Sequence, residues 1–153
     1  MKKTFVVMIF LLCGLSTFAQ EKKMSAGAGL EWNMDSRHNF AGGAILNLDF
    51  MLPSNTALGI NVIASHNFNA IAVIEPLVFY RRYVQDKDHT GFFVQLDGGA
   101  FVILEEGDVT TLFHVGVRGG YRIPLGSFFY IEPYGRTGYP FAFGFGAIAG
   151  ICF

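Results

Sequence analysis

The feature that most constrains this chain is a period-two alternation of apolar with small or polar residues, returning eight times between turn-forming clusters. In an extended strand successive side chains point to opposite faces, so this pattern marks strands with two chemically different sides. In the first segment Ala26, Ala28, Leu30, Trp32 and Met34 alternate with Gly27, Gly29, Glu31 and Asn33. The second sets Ala44, Leu46, Leu48 and Phe50 against Gly43, Ile45, Asn47 and Asp49, and the third sets Leu58, Ile60 and Val62 against Gly59 and Asn61. In the fourth, Ala72, Ile74, Val78 and Tyr80 oppose Glu75 and Arg81, with Leu77 and Phe79 blurring the polar side. The fifth opposes Phe92, Val94, Leu96, Ala100 and Val102 to Gln95, Asp97 and Gly99; the sixth opposes Phe113, Val115, Val117, Tyr121 and Ile123 to His114, Gly116, Arg118, Gly120 and Arg122. The seventh is short, Phe129 and Ile131 against Tyr130 and Glu132. The last places Phe141, Phe143, Phe145, Ala147, Ala149, Ile151 and Phe153 on one parity. Across all eight, the apolar side carries no charge.

Alternation alone does not say which side meets water, because a soluble lipid-binding barrel alternates too, with its apolar side inward. Composition decides. Only 15% of the 153 residues are charged and 52% are hydrophobic, where soluble domains carry about 25% charge. The polar side holds no lysine; it holds glycine, Asn, Gln, the acids Glu31, Asp49, Glu75, Asp97 and Glu132, and the bases Arg81, Arg118 and Arg122. A water-exposed surface favours long ammonium chains, whereas a cramped interior favours small residues and guanidinium forks that bind carboxylates. The polar side is therefore placed in a lumen and the apolar side in lipid.

In lipid every backbone donor and acceptor must be paired, and for strands that requires a closed barrel. The expected fold is all-β: an eight-stranded antiparallel up-and-down transmembrane β-barrel. With about 10 residues per tilted strand, the chain leaves room only for short connections. Trp32, Tyr80, Tyr121, Tyr130, Tyr139 and Phe153 lie toward segment ends, where barrels carry aromatic girdles. Pro76 lies inside the fourth segment, removes a ladder hydrogen bond, and points to a bulge there.

Residues 1–19 read as a signal peptide: Lys2 and Lys3, an apolar run from Phe5 to Leu12, then the small-x-small site Thr17-Phe18-Ala19. Acylation at Cys13 is the competing reading, disfavoured by the bulky Leu12 before it. Residues 20–153 form the barrel and retain one cysteine, Cys152, so no internal disulfide is available.

A signal peptide, eight amphipathic segments and a last strand of alternating aromatics ending in Phe153 together resemble the small outer-membrane β-barrel proteins of the OmpA and OmpX type. The resemblance implies the outer membrane of a double-membrane bacterium, reached by secretion to the periplasm. It implies as partners the membrane lipid and the barrel assembly machinery, with Ile151 and Phe153 as the assembly signal. Ile148 departs from that signal, which often has glycine there.

Chemical motifs are scarce. The net charge is −1 and no basic block would neutralise phosphates, so nucleic acid is not an expected partner. Gly144-x-Gly146-x-x-x-Gly150 is one residue too long for a dinucleotide loop and ends at the C-terminus. His38, His66, His89 and His114 lack zinc spacing, although His38 and His66 could approach at the extracellular rim. Ser65 neighbours His66, but adjacent strand residues face opposite ways. No enzyme activity, cofactor or metal is expected. The charged set Glu31, Asp49, Glu75, Arg81, Asp97, Arg118, Arg122 and Glu132 reads as an ion-paired network plugging the lumen, with Glu132 the preferred partner of the arginines on segment six. The resulting expectation is a monomeric barrel with a structural or minor surface role. The alternative is a narrow channel for small or apolar solutes, favoured by Ile45, Leu77, Phe79, Phe93 and Phe101 on the inner side; a lipid-carrying soluble periplasmic barrel is the third class.

Overall fold

The computed structural model describes residues 24–34, 40–67, 72–84, 89–105 and 108–153. The expected signal peptide, Cys13 and His38 lie outside them. Eight strands follow one another: β1 (Met24–Met34), β2 (Phe40–Leu52), β3 (Thr56–Asn67), β4 (Ala72–Tyr83), β5 (Gly91–Glu105), β6 (Asp108–Leu125), β7 (Phe129–Tyr139) and β8 (Phe143–Cys152). Each pairs antiparallel with its sequence neighbours, and β8 pairs with β1, so the sheet is a closed up-and-down barrel. Reciprocal backbone hydrogen bonds between Met24 and Phe153, at 3.0 and 2.9 Å, complete the seam. No sheet edge remains along the shared height of the strands, as a lipid-immersed wall requires.

The strands are staggered. Following cross-strand partners from Met24 leads through Phe50, Leu58, Tyr80, Leu96 and Val117 to Thr137. Carried one step past the Arg136–Gly144 pair to Phe143, the path re-enters β1 at Met34, ten residues from its start. Such a shear tilts the strands by about 40° and makes an interior just wide enough for side chains.

The two faces divide as the alternation anticipates. Leu30, Leu46, Val78, Leu96, Phe113 and Phe129 are exposed on the outside, while Asn47, Asn61, Gln95 and the charged set are buried within. Trp32, Tyr80, Tyr121 and Tyr139 lie outside, and Trp32 stacks on Phe145 with ring centroids 5.8 Å apart. Arg82, one residue beyond the segment read as the fourth strand, is exposed at the end of β4.

Four expectations are corrected. Pro76 causes no bulge: the β3–β4 ladder runs through it, and β4–β5 skips from the Ile74–Val102 pair to Leu77–Gly99 in unchanged register. A missing donor breaks contact locally but need not insert a residue. Segment seven does not stop at Glu132; β7 continues through Pro133, where β6–β7 pairing likewise pauses and resumes in register. Phe141 does not share the outward parity of Phe143 and Phe145, because β7 ends at Tyr139 and Phe141 belongs to the turn, which drops it into the lumen. Tyr130 is not part of an outer girdle either; it is buried on the inner parity of β7 beside Glu132.

Large inward side chains need space on the neighbouring strands, and glycine supplies it. A Cβ on Gly146 would fall 2.7 Å from the Tyr134 hydroxyl, and one on Gly120 would fall 2.5 Å from the Phe93 ring. Inward aromatics and glycines on neighbouring strands are thus sterically matched.

Candidate functional site

The buried charges occupy three levels of the lumen. Toward the end of the barrel where Met24 pairs with Phe153, Asp49 of β2, Arg81 of β4, Arg122 of β6 and Glu132 of β7 converge. Arg122 contacts Asp49 at 2.5 Å and Glu132 at 2.7 Å, while Arg81 contacts Glu132 at 2.9 Å and Asp49 at 3.4 Å. Each guanidinium thus meets both carboxylates. The Ser25 hydroxyl donates to Asp49 at 2.9 Å, and Arg81 Nε donates to Gln95 at 2.8 Å. Arg81 lies over the Phe93 ring and Arg122 over the Tyr130 ring, each 4.1 Å from the centroid. These stacked aromatics cover the flat guanidinium faces that no carboxylate can reach.

Toward the opposite end Arg136 of β7 is the hub. It holds Glu75 in a two-pronged pair, both distances 2.9 Å, and reaches Glu31 at 2.7 Å. Glu31 also accepts from Asn33 and from the Tyr134 hydroxyl, both at 2.7 Å. His114 Nδ1 lies 3.3 Å from Glu75, and Phe141 covers this level, its ring centroid 4.0 Å from the Arg136 guanidinium and 5.4 Å from the His114 ring.

Between these levels the contacts loosen. Arg118 lies over the Tyr134 ring, and its Nε is 3.9 Å from Asp97, beyond hydrogen-bond distance. Asp97 instead accepts from Gln95 at 2.6 Å and from Asn61 at 3.4 Å. Ile45, Ile63, Leu77 and Ile148 fill space around the polar groups.

All eight charged residues singled out from the sequence are buried in the lumen. The partner choice anticipated for Arg118 is corrected: Glu132 pairs with Arg122 and Arg81, while Arg118 faces Asp97. Arg136 was missed, although Tyr130, Glu132, Tyr134 and Arg136 share one parity; ending the segment at Pro133 cut it off. Of the apolar lumen candidates, Ile45, Leu77, Phe79 and Phe93 are buried, whereas Phe101 is half-buried where the β5–β6 hairpin rises past its neighbours. Ser65 and His66 face opposite sides of β3, the serine inward and the histidine outward. Among the described residues no group of three or more His, Cys, Asp or Glu is arranged to hold a metal.

An apolar exterior around a buried ion-paired interior defines an eight-stranded barrel of the transmembrane type. Solved structures of the same architecture fit that class. Neisserial surface protein A superposes with a TM-score of 0.59 at 9% identity, over 84% of this chain and 94% of that one. The N-terminal β-barrel domain of Pseudomonas aeruginosa OprF gives 0.58 at 9% identity, over 88% and 100%. A de novo designed transmembrane β-barrel gives 0.53 at 8% identity, over 86% and 97%. The fold is therefore that of the small OmpA- and OmpX-type barrels. No family model and no curated protein sequence matches the chain.

Proposed function

We infer that this protein sits in the outer membrane of a double-membrane bacterium as a small barrel with a plugged lumen, in a structural or minor surface role without catalysis. The observation that carries the reading is the cross-braced set Asp49, Arg81, Arg122 and Glu132, fully buried across an interior of side-chain width. Moving an ion past it requires separating pairs that no bulk water compensates. Planar-bilayer recording of the purified barrel tests this: silence at high salt is expected, and steady unitary currents would replace the plug with a conducting pore. A narrow path for small solutes is the second reading, supported by the apolar lumen residues Ile45, Leu77, Phe79 and Phe93.

Location has its own test. A closed ladder breaks only cooperatively, so protein from the membrane fraction should stay folded in cold SDS and shift its migration on boiling. Unchanged migration counts against a membrane barrel. Met24 and Phe153 share one end of the barrel, which on this reading faces the periplasm. Ile151 and Phe153 then serve the assembly machinery, and deleting Phe153 is expected to cut insertion in cells sharply while refolding into detergent stays nearly intact. Equal, mild effects in both settings would reduce Phe153 to lipid-facing surface.

A further inference from the structure

We propose that Met51, His89 and Cys152 form a site for a soft monovalent metal ion of the copper(I) class, in a cavity at the end of the barrel where Met24 meets Phe153. The cavity measures about 230 Å³, and the three side chains reach it from separate elements. Met51 comes from the inner parity of β2, Cys152 from that of β8, and His89 from the connection between β4 and β5. Together they bring a thioether, a thiol and an imidazole to one space.

His89 is oriented as a metal ligand would be. Its Nε2 faces two backbone carbonyls, Leu52 O at 2.9 Å and Thr56 O at 3.1 Å, and a carbonyl oxygen only accepts. In the neutral ring Nε2 therefore carries the proton and Nδ1 the lone pair. A histidine that binds metal through one nitrogen commonly donates the other N–H to a backbone carbonyl, which fixes tautomer and ring orientation. The Tyr83 ring meets the imidazole edge-on, centroids 5.5 Å apart, and His89 holds a left-handed φ of 53° that few non-glycine residues adopt.

The donor set selects the ion. Thioether and thiolate sulfur are soft ligands that favour copper(I), whereas zinc takes four ligands drawn from Cys, His and carboxylates. Only two of the three donors here are His or Cys, so the site lies apart from the groupings that are absent among the described residues. No carboxylate among those residues lines the cavity, and the Arg122 guanidinium does, which disfavours a divalent ion. A monovalent ion releases the Cys152 thiol proton to solvent as the sulfur–metal bond forms, so thiolate and ion together add no net charge beside Arg122.

The test is an anaerobic titration of copper(I), supplied as its coloured bicinchoninate complex, into the full chain folded in detergent and carrying Cys13→Ser, so that Cys152 is its one thiol. One copper per barrel should leave the chromophore, and the X-ray absorption fine structure of the bound ion should show both sulfur and nitrogen neighbours. Cys152→Ala should abolish the transfer, and Met51→Leu and His89→Gln should each weaken binding about tenfold or more. Glutamine keeps a donor for the Leu52 carbonyl but has no ring lone pair. The migration shift between cold and boiled SDS checks that each variant is folded; where one is not, the fine structure of the parent decides. Failure of the parent to take copper, sulfur neighbours without nitrogen, or transfer that survives Cys152→Ala would each overturn the proposal. So would binding by Met51→Leu or His89→Gln equal to the parent's, or zinc held as tightly as copper. The titration does not depend on conduction, so its outcome is separate from that of the plugged lumen.

Discussion

The two directly paired levels of the lumen meet the cost of buried charge in different ways. Toward the Met24–Phe153 end, Arg81 and Arg122 each touch both Asp49 and Glu132, so every ion has two partners of opposite sign. At the other end Arg136 is, among the described residues, the one guanidinium serving Glu31 and Glu75, helped by Asn33, Tyr134 and His114. The first arrangement is redundant and the second is hinged on one residue. How much a buried ion matters should therefore depend less on its burial, which is shared, than on how many opposite charges its loss strands.

That comparison orders the expected losses. Arg136→Met leaves two carboxylates buried without a guanidinium, and the cost should be about 3–5 kcal/mol. Urea titration of the refolded protein in lipid vesicles, followed by the fluorescence of Trp32, the single tryptophan, measures it. Adding Glu31→Gln should recover part of the loss; no recovery would show that Arg136 acts by packing over Phe141 instead.

Glu132→Gln should cost less, about 2–3 kcal/mol, because Asp49 still faces both arginines. Combined with Arg122→Met, the losses should fall short of additive, since the two residues share one network. Strict additivity would dissolve the idea of cross-bracing, and a loss exceeding that of Arg136→Met would reverse the comparison.

Arg118→Met should cost less again, about 1–2 kcal/mol, because the ion pair it breaks is long and Asp97 keeps Gln95 and Asn61. A larger loss would mean that Arg118 braces the lumen as firmly as the others. The smallest change is expected on the outside: a side chain added at Gly98 meets open space, so Gly98→Val should stay within about 0.5 kcal/mol. Gly146→Val, on the inside, would force Tyr134 from its place beside Glu31 and should clearly destabilise.

Much of this was open to reading in the residues. A strand's two faces alternate whatever surrounds it, so parity alone assigned Glu31, Asp49, Glu75, Arg81, Asp97, Arg118, Arg122 and Glu132 to one side, and the missing lysines marked that side as interior. Parity fails wherever the strand's limits are misjudged. Pro133 hid Arg136 because a residue that cannot donate looks like an end, and Phe141 was misassigned because a turn does not continue the alternation.

Within those limits, local periodicity determined which side chains enter the lumen and which meet lipid. Only the closed barrel decided who meets whom. A ten-residue shear lifts each strand relative to the last, so residues far apart in sequence reach one height: Arg122 meets Asp49 across the barrel, and Arg136 meets Glu31 and Glu75. Alternation is a property of one strand's backbone, whereas partner choice is a property of the closed cylinder, set by register and tilt.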